Sequence, residues 1–365
     1  MPSRAEIYKD YAYPVLKKFD AERIHDVSID LLHLSESHPH LLRLMEGLAC
    51  EGGQRFEDER LRVGVGGIMF ENPIALAAGF DKQGRAVDSL YRLGFSSVVV
   101  GSVTQEPQPG NSKPRVFRPT NDSLLNRMGF PSEGVEAMAR SLKNYPDRKY
   151  PIGVSIGLNK GVLLTEAPAA YAAVAQKLSD SADYFEINVS SPNTERLRDL
   201  QNKIYLIDVV EAVQAVSQKP LFLKVSPDLS VNQLDDVIDV STERGLSIVA
   251  TNTSINQSVK SGLGSTWSNE QGGVSGAAIE QISNHVIRHI ARESDVEVIG
   301  VGGVRDLSSA LLKFEAGAKS LQVYSGFVMG DGGPSFPSRL NNELIGWMDE
   351  QGVNNISELV GQSHE

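Results

Sequence analysis

Eight short apolar runs, separated by longer amphipathic stretches, set the strongest limit on what this 365-residue chain can become. They are residues 74–78, 97–101, 152–156, 184–189, 221–225, 247–252, 296–301 and 320–325. Each is too short for a core helix, and each is followed by chain enough to form one. That is the pattern of parallel strands joined by helical crossovers. Eight such units predict a (β/α)8 TIM barrel. An open doubly wound sheet usually has fewer strands, and no G-x-G-x-x-G follows the first run here.

Nearly every run ends in a polar or glycine-containing segment: AGFDK, GSVT, NVSSPNT, KVSPD, ATNT, GVGG and YSG. In a barrel these ends gather on one face, where active sites lie. Residues 101–130 are long for a strand-to-helix loop, so they are expected to pass over the mouth with a small hairpin. Residues 60–70 read as a hairpin turning at Gly66 and Gly67 and plugging the opposite end. The expected boundaries are a small N-terminal helical extension at 1–48, a linker and hairpin at 49–73, the barrel at 74–350 and a C-terminal tail at 351–365.

Within the extension, Ile24, Val27, Leu31 and Leu34 fall at helical spacing behind Asp20 as N-cap, predicting a helix over 21–35. The first twenty residues interleave Tyr8, Tyr11, Tyr13, Val15, Leu16 and Phe19 with Arg4, Lys9, Lys17 and Lys18, against Glu6, Asp10 and Asp20. Such a mixture suits a helix lying in a membrane interface. It suits a helix pair capping the barrel equally well, and these residues alone leave both readings open. No run approaches the roughly 18 to 20 apolar residues that span a bilayer, and no signal pattern opens the chain, so any membrane contact is expected to be peripheral.

A net charge of −11 argues against a nucleic-acid partner, which needs a basic face. The single cysteine, Cys50, offers neither an internal disulfide nor metal-ligand spacing and points to a reducing compartment. None of the seven histidines, at 25, 33, 38, 40, 285, 289 and 364, falls in a strand-end segment. That disfavours a Ser-His-Asp triad and a histidine metal site, so no metal is expected. His33, His38 and His40 lie close together, but Pro39 breaks their register and no further ligands accompany them.

Several strand-end residues carry chemical promise. Residues 188–194, NVSSPNT, concentrate hydrogen-bonding side chains stiffened by Pro192, although such residues are also ordinary in turns. Lys224 ends the apolar run LFLKV, where an idle lysine is costly to bury, and the alternative is snorkelling to solvent. Lys82 follows the first strand, with Asp81 placed to steer it. Two lysines at a barrel mouth suit an anionic cofactor or substrate. Gly302 and Gly303, together with Tyr324, Ser325 and Gly326, occupy a barrel's habitual phosphate site.

Taken together, these motifs resemble the dihydroorotate dehydrogenase family in its quinone-linked class 2 branch, from Tyr13 to about Gly330. The specific strings are NPIALAAGFDK, PQPGNSKPRVFR, NRMGF, NVSSPNT, KVSPDLS, ATNT, GGVSG, GVGGV and VYSGF. The resemblance implies oxidation of dihydroorotate to orotate in pyrimidine biosynthesis, with one non-covalent FMN per chain and a membrane quinone as electron acceptor. Ser191 takes the position of the family's base. Flavin contacts map to Ala78, Gly79, Phe80, Asp81, Lys82, Ser102, Ser155, Asn188, Lys224, Thr251, Gly276, Gly303, Tyr324 and Ser325. Substrate contacts map to Lys82, Asn126, Arg127, Met128, Gly129, Phe130, Asn188, Asn193, Asn252 and Thr253, with the backbone of 127–130 contributing.

The resemblance also gives the N-terminal helices a role, as a quinone tunnel that meets the lipid surface at the cytoplasmic face of the cell membrane. His25, Arg118 and Tyr324 match positions lining it. Two departures stand out: Ser155 where the family usually has asparagine, and Gln105-Glu106 where it commonly has proline and a basic residue. A soluble class 1 enzyme would have a cysteine base and no extension, and Cys50 lies too early to serve. A non-catalytic flavin-binding barrel would leave the coincidence of Ser191, Lys224 and Asn126 without a reason.

Overall fold

The computed structural model describes residues 3–55, 57–330 and 332–362. The hairpin comes first, as β1 (Val63–Val65) and β2 (Ile68–Phe70). The remaining strands are β3 (Ile74–Leu76), β4 (Val98–Val103), β5 (Val116–Phe117), β6 (Ser123–Asn126), β7 (Ile152–Ile156), β8 (Tyr184–Asn188), β9 (Leu221–Val225), β10 (Ser247–Ala250), β11 (Gly273–Gly276), β12 (Val298–Val301) and β13 (Ala318–Val323). Eight of them close a parallel barrel in the order β10-β12-β13-β3-β4-β7-β8-β9. Strands β7, β8 and β9 are buried along their whole length, because helices cover one face and packed side chains the other. The first and sixth barrel strands stop at Leu76 and Ala250, short of the expected 78 and 252. There the chain leaves the ladder and turns its polar ends toward the mouth.

Over that mouth lies the expected excursion, but its sheet has three strands instead of two. The order is β11-β6-β5, with Gly273 paired to Asn126 and Gly276 to Ser123. At the other end, a Cβ on Gly66 would sit 2.6 Å from the Phe222 ring, so only glycine fits where the hairpin enters the barrel floor. Glu297, just before β12, accepts the Gly66 N–H.

The extension consists of a helical stretch over residues 4–16 and two longer helices, Ala21–Glu36 and Pro39–Ala49. Asp20 caps the first long helix by accepting the Arg23 N–H at 2.9 Å. Its inner face is tied to the barrel by polar contacts. Glu22 pairs with buried Arg115 at 2.7 Å, His33 Nδ1 lies 2.7 Å from the Arg85 carbonyl, and Glu36 accepts from Ser89 N–H and Tyr145 O–H. The outer face leaves Val27, Leu31, Leu34, Leu41, Leu44 and Leu48 in solvent. No described helix is long and apolar enough to cross a membrane.

The segment expected as a tail packs back on the barrel instead. Residues Ile356–Leu359 form a 3-10 turn with Ile356 and Leu359 buried, and Gly361 N–H donates to Phe314 O. Two buried apolar side chains at this spacing give the segment a face to bury. His364 lies outside the described residues.

Candidate active site

The strand ends build a lattice of amides. Asn188, the last residue of β8, donates from Nδ2 to Ser102 Oγ at 3.0 Å, and its Oδ1 accepts from Asn252 Nδ2 at 3.1 Å. Asn252 Nδ2 also reaches Ser190 Oγ at 2.9 Å, and Asn193 Nδ2 donates to Asn126 Oδ1 at 3.2 Å. The Asn188 carbonyl is held by Tyr171 O–H at 2.8 Å. Three strand ends and the mouth sheet are therefore locked to one another before any ligand binds. Ser191 lies on the same wall, with its Oγ accepting the Asn193 N–H at 3.3 Å. No histidine or carboxylate hydrogen-bonds to it among the described residues.

Ser102, Asn126, Asn188, Ser191, Asn193 and Asn252 line one end of a continuous cavity of about 500 Å3. The other end runs between the N-terminal helices, past Tyr8, Leu16, Ile24, Leu31 and Leu32. His25, Arg118 and Tyr324 lie along it, Arg118 being held by the Phe19 carbonyl at 2.9 Å. Burial raises the Tyr324 hydroxyl to about 12, so it is a hydrogen-bond donor at ordinary pH. Of the residues assigned from the sequence, Ala78, Gly79, Phe80, Lys82, Ser102, Thr251, Gly276, Gly303, Ser325, Met128, Gly129, Phe130 and Thr253 also line this cavity.

Three assigned residues do not. Asp81 is turned beneath its loop, accepting the N–H groups of Arg85 and Ala86 at 2.9 and 2.8 Å, and it makes no hydrogen bond to Lys82. Its carboxylate shapes the loop and acts on the lysine by charge alone. Ser155 lies behind the wall, its Oγ 2.9 Å from Ser102 Oγ, so it reaches the cavity only through that neighbour. Arg127 points outward over the Phe117 ring to Glu270. Its backbone N–H and carbonyl are taken by Arg115 O and Asn111 Nδ2, leaving no free backbone group for a ligand.

Lys224 does not snorkel. It is buried, and its Nζ is 3.0 Å from Glu186 Oε1, while Gln322 Nε2 donates to Glu186 Oε2 at 3.0 Å. Neither Glu186 nor Gln322 emerged from the sequence, yet a signal existed. Side chains alternate along a strand, so Glu186 shares the inward side of Asn188, and Gln322 that of Tyr324.

His25 also reaches the polar end of the cavity. Distant from every strand end in sequence, it places Nε2 2.9 Å from Lys82 Nζ. Burial, reinforced by the lysine, lowers its pKa to about 3, so it is a neutral acceptor. Burial likewise lowers Lys82 to about 8, opposed by Asp26 and Glu22 on the helix above.

The cavity's unmet polar groups indicate what it is built to hold. Thr251 Oγ1, Thr253 Oγ1 and Gln322 Oε1 are buried on its wall without a partner. Among the described residues, the backbone N–H groups of Gly303, Val304 and Ser325 donate to nothing in the chain. Buried polar groups are otherwise almost always paired. The pairing capacity left over is that of a polar heterocycle and an anion, with Lys224 supplying positive charge. These residues fit a flavin nucleotide. No group of three or more potential metal ligands occurs among the described residues.

The model of the family described as dihydroorotate dehydrogenase matches residues 60–348. The chain belongs to the dihydroorotate dehydrogenase family. Its curated relatives carry the quinone-linked name. "Dihydroorotate dehydrogenase (quinone)" of Thermus thermophilus is 40% identical over 345 residues, 93% of this chain and 97% of the relative. The namesake of Natronomonas pharaonis is 38% identical over 350 residues, 95% and 97% of the two chains. Among solved structures, the crystal structure of the Eimeria tenella enzyme in complex with ferulenol superposes with a TM-score of 0.82 at 29% identity, covering 95% of this chain and 96% of that one. This is accordingly an oxidoreductase of the quinone-linked branch, and membership in that branch implies a flavin and a quinone acceptor.

Proposed function

We propose that the chain oxidises dihydroorotate to orotate at the barrel mouth with one bound FMN, and delivers the electrons to a membrane quinone that enters between its N-terminal helices. The observation that carries this reading is the single cavity, polar and hydrogen-bonded at one end, apolar and helical at the other.

Lys82 offers its ammonium to the substrate's carboxylate, and Asn126, Asn193 and Asn252 pair with the alternating donors and acceptors of its ring. Ser191 takes the proton from C5 as hydride leaves C6, and passes it to water, since no stronger base adjoins it. FMN, when bound, would supply the hydride acceptor and the redox link to the quinone. Lys224 would hold the negative charge of the reduced ring, with Thr251 and Asn188 among its neighbours and the N–H groups of Gly303 and Ser325 taking the phosphate. His25, Arg118 and Tyr324 line the quinone's path. The exposed leucines of the helical extension would rest on the lipid surface at the cytoplasmic face of the cell membrane, because apolar side chains gathered on one helical face favour an interface.

Purified protein should be yellow, with one releasable FMN per chain, and should bleach anaerobically on addition of dihydroorotate. Colourless protein that fails to take up FMN would overturn the proposal.

A further inference from the structure

We propose that His25, a residue of the N-terminal extension, is a positioning residue of the substrate site, holding the Lys82 ammonium where the substrate's carboxylate binds. The inference rests on the reading of Lys82 given above. Lys82 is partly buried, its ammonium facing the cavity, and an ammonium carries three donors that are costly to leave unmet away from water. Among the described residues it makes one hydrogen bond, to His25 Nε2 at 2.9 Å.

The imidazole cannot swing away easily. It stands edge-on to Phe80, with ring centroids 5.0 Å apart at 83°, and Phe80 is itself packed against Phe327 at 5.2 Å. The charged groups facing the lysine come from three elements. Asp26 and Glu22 lie on the same helix as His25, Asp81 belongs to the lysine's own loop, and Arg115 comes from the mouth segment. The carboxylates favour the ammonium and Arg115 opposes it, but none of them accepts a hydrogen bond from Nζ. His25 stays neutral at ordinary pH and therefore remains an acceptor.

A residue that serves only the electron acceptor has no reason to affect the first half-reaction, which needs no quinone. A residue that orients Lys82 must affect it. The substrate site is then completed by the helical extension, and the two ends of the cavity share a side chain.

The test uses the full-length, flavin-loaded protein without quinone. Orotate is titrated against flavin absorbance at pH values on both sides of the Lys82 transition, and flavin reduction by dihydroorotate is followed by stopped flow. Removing a hydrogen bond to a charged group should weaken orotate binding about tenfold or more in the His25→Leu protein. The same change removes an acceptor that favours the ammonium, so the pH at which affinity begins to fall should move downward. His25→Gln, whose Oε1 can accept from Nζ, should restore most of the affinity, and in both variants the limiting reduction rate should change far less than the substrate dissociation constant. Orotate binding in His25→Leu that matches wild type at each pH would overturn the inference. Equal weakening by Leu and Gln would mark a packing role and overturn it too. Wild-type protein that binds flavin but not orotate would instead overturn the substrate-site reading itself.

Discussion

At the barrel end of the cavity, Asn126, Asn188, Asn193 and Asn252 are already hydrogen-bonded to one another and to the strand ends that carry them. At the helical end, Leu16, Ile24, Leu31 and Leu32 offer shape without hydrogen bonds, and the helix that bears three of them is anchored through Glu22, His33 and Glu36. The first arrangement suits a small polar substrate that must be held in one orientation, since residues on rigid strand ends keep reacting atoms in register. The second suits a large apolar molecule that only needs to approach. The contrast implies two separable half-reactions, joined where His25 meets Lys82.

The largest expected effect comes from blocking one end alone. Ala21 lines the helical passage, so Ala21→Trp should reduce turnover with a long-chain quinone to background while dihydroorotate still bleaches the flavin. Undiminished turnover with that quinone would show that the electrons leave by another route.

The converse test strikes the polar end. Positioned proton transfer is typically worth about 10² to 10⁴ in rate, so Ser191→Ala should slow flavin reduction by that factor while FMN stays bound and quinone still reoxidises reduced enzyme. Because a serine hydroxyl is a weak base, the wild-type limiting rate should also climb toward alkaline pH. Single-turnover absorbance measures both, and unimpaired reduction in the variant removes Ser191 from the mechanism.

A third test concerns the outer face of the extension. Fully burying a leucine gains about 1.5 to 3 kcal/mol, so replacing Leu41, Leu44 and Leu48 with serine should weaken binding to lipid vesicles by at least about 100-fold. Co-sedimentation with vesicles reads this, and the first half-reaction serves as the internal control. Unchanged sedimentation would mean that this face meets something other than lipid.

The smallest effect is in pH dependence. Lys82 is cationic below about 8 in the free protein and loses its charge above it. Orotate affinity should therefore be flat at lower pH and fall by about tenfold per unit above that point, where the neutral amine must be reprotonated to hold the anion. Because the bound carboxylate favours the ammonium, the limiting rate should not show the same break. Affinity that holds constant well above the transition would detach Lys82 from the carboxylate.

The barrel was legible because its signal is local: apolar runs of strand length, each ending in polar residues. Ser191, Lys224, Asn188, Asn193 and Asn252 were legible for the same reason, since they stand at or just past the ends of those runs; Asn126, in the mouth sheet, was legible only through the family's NRMGF string. What escaped the sequence depends on contacts distant along the chain. The third strand of the mouth sheet, β11, pairs with β6 from well over a hundred residues away. His25 reaches Lys82 only because a separate helix folds over the mouth. Glu186 and Gln322 were hidden differently, as single polar side chains inside apolar strands, where their alternation with Asn188 and Tyr324 was the only clue. Asp81, Ser155 and Arg127 were assigned by motif, and each turned out to shape its loop, its wall or its sheet without reaching the cavity.

Two half-reactions that share one cavity can be followed separately in an anaerobic double-mixing experiment. Flavin-loaded protein is mixed first with dihydroorotate and then with quinone while flavin absorbance is followed. The account predicts full bleaching in the first step with stoichiometric orotate, followed by full recovery of the oxidised spectrum in the second. Flavin that stays oxidised in the presence of dihydroorotate, or that bleaches but is not reoxidised by quinone, would contradict it.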